Sequence, residues 1–316
     1  MWRFVLRRVP PALITLVLAS IGLFFLVELL PGNPAEMVLG DQATPAAVAS
    51  MEHQMGLDRP FYVQYLDWVS HLLTGNLGTS YVTGTPVSSL LTQAAPATAE
   101  LAVTSLVITA VVGFAVGVSG AVARRRPARA VHAALSALIF GAPEYVVGVL
   151  LILLFAITAG VLPPGGRVEL FSDPALGIQY LILPAVALSL HSAAVVGRFL
   201  EAELNRALGD DYVQTALAKG VPRRRMLWRH ALPNAMPAVV TVLGLRVGHL
   251  LGGAIVVEAI FAWPGLGVVL TSAVNSRDYI VIQDLIMMLV AIFIVVQVLS
   301  DVVHAWLDPR VRLVNT

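Results

Sequence analysis

Residues 209–233 read GDDYVQTALAKGVPRRRMLWRHALP, a polar stretch set between two apolar ones. Gly209-Asp210-Asp211 offers a helix N-cap with acids at the positive end of the helix dipole. Residues 211–219 suit a helix with Lys219 in its last turn, and Gly220 can take the left-handed position that follows. Pro222 comes two residues later, where the first turn of a second helix accepts proline. That helix is predicted to run through Met226, Leu227 and Trp228 to Leu232-Pro233. Val213, Ala216, Leu217 and Val221 give the first helix an apolar stripe with no soluble body of this chain to pack on. The flanking runs, 179–197 and 235–257, have the length of a bilayer span, roughly 20 helical residues for about 30 Å of hydrocarbon.

Working outward, four more runs reach that length: 9–30, 101–122, 131–158 and 285–306. The whole chain is 58% hydrophobic and 12% charged, with a mean hydropathy of +0.83. Soluble chains carry about twice that charge, so the expected fold class is an all-α integral membrane protein with six transmembrane helices. The first run follows a basic end, Trp2 to Arg8, but exceeds a signal-peptide core. Leu29-Leu30-Pro31-Gly32 is no cleavage site either, and a retained helix is expected. Sixteen of the twenty basic residues fall in the N-terminus, loop 123–130, loop 198–234 and the tail 307–316. By the positive-inside rule both termini are cytoplasmic. The formal net charge of +1 gives no sign of a nucleic-acid partner. The absence of cysteine excludes disulfides and thiolate chemistry. The single lysine, Lys219, is followed by Gly220, so no Gly-Lys-Ser/Thr sequence and no Walker A loop exists.

The outer segment 31–100 carries six acids and one arginine. Asp58-Arg59-Pro60 and then Phe61, Tyr62, Tyr65 and Trp68 read as a turn and an amphipathic helix, and residues 74–80 break regular structure. The aromatic residues fit an interfacial belt and a docking face equally well. Gly113 with Gly117, and Gly244 with Gly248 and Gly252, are spaced for close helix contact. Glu28 and Glu100 are expected at the outer ends of helices, within reach of water. Glu144 follows Pro143 inside the third run, beside a kink. Arg246 lies about eleven residues from either end of 235–257, where a charge costs about 2.5–3.5 kcal/mol. His249 is three residues on, nearly on the same face. Glu144, Arg246 and His249 are therefore candidate pathway residues, and two readings stay open. Arg246 either pairs with Glu144 in the interior or lines a pathway and attracts an anion such as a peptide carboxylate. His132, His191 and His249 share no metal-ligand spacing, and neither a metal site nor a catalytic residue is expected.

Gln214-Thr215-Ala216-Leu217-Ala218-Lys219-Gly220, then nine residues, then His230-Ala231-Leu232-Pro233 resembles the EAA loop of binding-protein-dependent ABC importer permeases. The family pattern is Glu-Ala-Ala, three residues, Gly, nine residues, Ile, one residue, Leu-Pro. The Gly, Leu and Pro spacing and one Ala match, while Gln214, Thr215 and His230 depart. Four further blocks resemble the dipeptide/oligopeptide permeases: Gly75 to Ser80 (GNLGTS), Pro96 to Leu101 (PATAEL), Ile260 to Gly267 (IFAWPGLG) and Leu307 to Arg312 (LDPRVR). The long outer segment resembles the first, B-type, of the two paired permease subunits.

The resemblance implies a type I importer fold on a single transmembrane domain, 1–316, in the bacterial cytoplasmic membrane. Its partners would be a second permease subunit, two ATPase subunits that use ATP and Mg, an extracytoplasmic binding protein and membrane lipid. No cofactor would belong to this chain. The coupling helix would be 210–222, seated in a groove of the ATPase, with Asp210, Asp211, Val213, Gln214, Thr215, Ala216, Leu217, Lys219, Gly220 and Arg223 as its coupling residues. The family's leading Glu often makes a salt bridge there, which Gln214 cannot do. Related permeases carry dipeptides, longer peptides, metal chelates, glutathione or haem. The alternative from another class is a proton-coupled secondary carrier using Glu144, Arg246 and His249. It leaves the capped cytoplasmic helices without a purpose.

Overall fold

The computed structural model describes residues 2–29, 33–40, 43–123 and 125–307. Pro31-Gly32, Asp41, Arg124 and the LDPRVR block beyond Leu307 lie outside the described residues. Five long apolar helices cross: α1 (Trp2–Glu28), α5 (Val87–Val122), α8 (Pro174–Gly209), α11 (Leu232–Ile260) and α13 (Tyr279–Leu307). Shorter ones are α2 (Pro34–Leu39), α3 (Pro45–Met55), α4 (Phe61–Thr74), α9 (Asp211–Ala218), α10 (Arg223–Met226) and α12 (Leu266–Asn275). Among the described residues the one β-type pairing is an isolated bridge between Thr79 and Pro86.

The sixth crossing is a broken one: the kink expected beside Pro143 is a full break, and 131–158 is not one straight span. α6 (Arg126–Gly141) and α7 (Glu144–Leu151), the latter continued by a π-helical stretch Ile152–Thr158, meet at a 102° bend. Pro143 is the cause. A proline drives the residue before it out of the α region, and Ala142 sits at ψ 118°. A second correction concerns Leu232-Pro233, where the chain does not stop. A π-helical stretch Leu227–Ala231 joins α10 to α11, with Leu232 N–H bonded five residues back to the Leu227 carbonyl. Pro233 comes directly after that stretch, inside a helix already running, where its missing N–H leaves a carbonyl of the preceding turn without its helical donor. Pro222 is likewise the residue before α10 and not within its first turn. α5 begins well ahead of residue 101, because 87–100 is a helix with too many Ser, Thr and Gln for hydropathy to reveal.

The residues group into two compact units. The first comprises Met1–Val5, Ala99–Trp263 and Val295–Thr316. α8 is its centre, most of its apolar length being buried. A Cβ on Gly117 would lie 2.7 Å from Leu200 Cβ and 2.8 Å from the Gly197 carbonyl oxygen, so α5 and α8 touch backbone to backbone. Ser105 and Thr109 add hydrogen bonds across the same crossing to the carbonyls of Ala185 and Ser189. Gly244 packs on Ser300, whereas a Cβ on Gly252 would meet nothing within 4 Å, so that stripe is only partly an interface within this chain. Part of the IFAWPGLG block forms a turn in which Ala262 takes φ 47° between the buried Phe261 and Trp263. Gly166 N–H donates to the Phe261 carbonyl at 2.7 Å.

Glu100 is not at a wetted helix end. Arg167 reaches it through Nη2 at 2.7 Å and Nε at 2.9 Å, with both side chains less than a fifth exposed. The guanidinium also lies 5.8 Å from the centroid of Trp263. The expectation failed because α5 extends past residue 101 and carries Glu100 into its interior.

The second unit comprises Leu6–Thr98 and Pro264–Ile294. Its core joins Val27, Val87, Leu91, Leu266 and Leu285. On α4, Tyr65 and Trp68 turn inward onto Phe24, with ring centroids at 5.5 and 6.0 Å. The Trp68 indole N–H donates to Asp284 at 2.9 Å, beside a polar cavity of about 730 Å³. Tyr62, Leu66 and Leu73 remain exposed. In the GNLGTS block, Asn76 Oδ1 accepts from Gly78 N–H, and Ser80 Oγ donates to Asp278.

Candidate functional site

Two features of the first unit carry the candidate site: the loop after α8 and a side-chain column where α6, α7, α8 and α11 meet. The loop begins at Asp210, whose extended backbone ends α8 and whose carbonyl accepts from Val213 N–H at 3.0 Å. α9 then closes with Lys219 N–H on Thr215 and Val221 N–H on Ala216, while Gly220 takes φ 85°. This is the left-handed helix end expected from the Lys-Gly sequence.

The side chains of α9 divide between two faces. Val213 is completely buried within this chain, as is Met226 of α10. Leu227 and Ala231 join Leu200, Leu204 and Ala207 of α8 in one cluster. Val213, alone of the stripe among the described side chains, is thus buried against the rest of the chain. Val213 is an anchor here, and the exposed set is Asp210, Asp211, Thr215, Lys219, Gly220 and Arg223, with Ala216 half-buried. The side chains of Gln214 and Leu217 lie outside the described residues. Tyr212, absent from the sequence-derived set, is exposed and accepts a hydrogen bond from Asn234 Nδ2 at 2.9 Å.

The column starts at Glu144, the first residue of α7, where the helix dipole favours an anion. Its Oε1 lies 3.5 Å from His249 Nδ1 of α11. His249 stacks on His191 of α8 with centroids 5.3 Å apart and planes 12° from parallel. His191 in turn stacks on Phe140 of α6 at 5.2 Å, and Arg198 lies over the Phe140 ring at 5.1 Å. The chain thus brings Glu144 and His249 together, as spacing alone did not require. His191 was missed, because nothing in the sequence relates residues 191 and 249 until α8 and α11 pack. Arg246 forms no ion pair with Glu144 among the described residues, and its Nε is buried without a hydrogen-bond partner. An unsatisfied buried guanidinium nitrogen is costly, and an anion arriving there would satisfy it.

The comparisons with known proteins agree along the chain. Residues 111–313 match the model of the binding-protein-dependent transport system inner membrane component, and residues 1–102 match the N-terminal model of the same transport systems. The chain belongs to this family of importer permeases. The permease is 37% identical over 312 residues to the glutathione transport system permease protein GsiC of Salmonella choleraesuis (strain SC-B67), covering 99% of both chains. It is 38% identical over 314 residues to GsiC of Escherichia coli K12, again covering 99% of both. A probable peptide ABC transporter permease, y4tP of Sinorhizobium fredii, is 34% identical over 309 residues, covering 98% of this chain and 99% of that one. Among solved structures, an inward-facing MetNI methionine ABC transporter matches at a TM-score of 0.60 and 19% identity. The match covers 71% of the permease and 98% of that chain, and supports the fold. The permease is thus a multi-pass inner-membrane subunit of an ABC importer, working with ATPase and substrate-binding partners. These relatives give no support to a proton-coupled carrier.

Proposed function

We propose that this permease is the first of two paired subunits that line the pathway for a short anionic peptide of the glutathione class. The observation that carries the reading is the identity to glutathione permeases along 99% of both chains. Arg246 supports an anionic cargo, since its buried Nε lacks a partner in the protein. The whole chain, 1–316, acts as one transmembrane domain, with 31–100 as its outer segment. Of the two ATPase subunits, which use ATP and Mg, one docks on the exposed face of α9 and on Arg223, with Val213 holding the helix to the permease from behind. Gln214, Thr215, Ala216 and Leu217 complete that coupling helix. The chain itself carries no ATP site, no cofactor and no catalytic residue in this reading.

The test is reconstitution of the complete importer in proteoliposomes with its binding protein. ATP-dependent accumulation of glutathione, abolished when the peptide carboxylates are esterified, is the expected result. Equal uptake of a neutral or cationic peptide would overturn the anionic-cargo assignment.

A further inference from the structure

A cavity of about 710 Å³ opens in the first unit between the end of α5, the first half of α6 and α8. Arg126, Arg129 and Arg198 line it together with His132 and Glu201. Among the described residues none of the three arginines forms a salt bridge, and Arg198 lies instead over the Phe140 ring. Glu201 is the one carboxylate of the lining, with an oxygen 3.7 Å from His132 Nδ1. His132 Nε2 is 3.0 Å from the Val116 carbonyl oxygen, which can only accept, so that nitrogen carries the ring proton.

The helix end that lines the cavity adds to the positive field. α6 runs for sixteen residues with no acid in its first turn and no side-chain cap from Arg125. The positive end of its dipole therefore lies at Arg126, on the edge of the cavity. Three guanidiniums, a helix N-terminus and one carboxylate make a cavity that favours an anion of more than one charge or several acceptor oxygens.

Position identifies the source of that anion. The α5–α6 connection lies on the arginine-rich side of the chain, at the level of the cytoplasmic leaflet. The opposite face of α6 exposes Val131, Leu135 and Leu138 at helical spacing, which places the helix that walls the cavity against the hydrocarbon of the bilayer. Basic pockets between transmembrane helices on this side of a membrane take anionic lipid headgroups. The geometry points to a site for a phosphate-class anion, the headgroup of an anionic phospholipid, held by Arg126, Arg129 and Arg198. This inference does not depend on the cargo.

The experiment measures the thermal shift of the purified importer complex in detergent with dioleoylphosphatidylglycerol, dioleoylphosphatidylcholine or inorganic phosphate added. The glycerol lipid raises the melting temperature at concentrations where the choline lipid does not. The variant R126Q/R129Q/R198Q needs about a hundredfold more phosphatidylglycerol for the same shift, at roughly a factor of five per arginine near a lipid surface. R206Q/R229Q, which removes two arginines from the same side outside the cavity, keeps the wild-type response. E201Q, which retains shape and removes the opposing charge, responds at a lower lipid concentration and covers the case in which the triple variant does not assemble. A shift from inorganic phosphate alone would support the anion site and assign it to a soluble ligand. No anion-dependent shift in the wild type, or an unchanged response in both R126Q/R129Q/R198Q and E201Q, overturns the proposal.

Discussion

At the residue scale, Gly220 and Arg246 set different tests. A Cβ on Gly220 would touch nothing within 4 Å, so the cost of a side chain there is purely conformational. Gly220→Val at φ 85° should cost about 1–2 kcal/mol and release ATPase subunits during purification, while Gly220→Asn, which tolerates the left-handed region, should retain them. Co-purification yield reads the difference, and equal retention in both variants would remove the coupling role. For Arg246, import of an acidic peptide should fall at least about tenfold in Arg246→Gln, one lost charge-assisted contact being worth ~1.5–3 kcal/mol. Adding Glu144→Gln should not restore it, because Glu144 faces His249 and not Arg246. Recovery of transport and stability in the double variant would mean that the two form a pair after all. Glu100→Gln strands Arg167 in a site less than a fifth exposed and should lower unfolding stability by about 3–5 kcal/mol. Replacing both residues by apolar ones of similar volume should cost much less, as a denaturation series would record.

At the element scale, the α5–α8 crossing is a close backbone contact. Gly117→Leu has no room, with the Gly197 carbonyl at 2.8 Å unable to move aside. The variant should lose about 1–3 kcal/mol or more. Gly252→Ala meets nothing and should be neutral or slightly stabilising, since alanine is the better helix former by up to ~1 kcal/mol. Thermal melts of the two variants compare them directly. Helix existence was legible because apolar runs of bilayer length admit little else, and the Lys219-Gly220-Val221-Pro222 signal marked the end of α9. Three things were not. The 87–100 part of α5 is too polar for hydropathy, the size of the bend at the Pro143 kink needed backbone geometry, and the passage through Leu232-Pro233 needed the π-helical offset.

At the scale of the whole molecule, the sequence supplied the family blocks in order and the structure supplied the side chains between them. His191 joined the candidate site only through the packing of α8 on α11, segments far apart in the chain, which no local periodicity encodes. The lack of a Gly-Lys-Ser/Thr sequence leads to a prediction for the intact subunit. Purified alone, it should neither bind nor hydrolyse ATP in a nucleotide-binding titration. Micromolar binding would place the energy source in the wrong chain and sink the importer assignment.

The π-helical stretch Leu227–Ala231 stores an angle. Each π turn holds one residue more than the α geometry would, so α10 and the chain before it are set about 100° around the axis of α11 from where an unbroken α-helix would put them. Deleting one residue from 227–231 would leave α9 and α11 chemically unaltered, yet rotate one against the other like a cam slipped on its shaft. Such a subunit would have every contact residue and every pathway residue in place, and the stroke of one would arrive out of phase with the other.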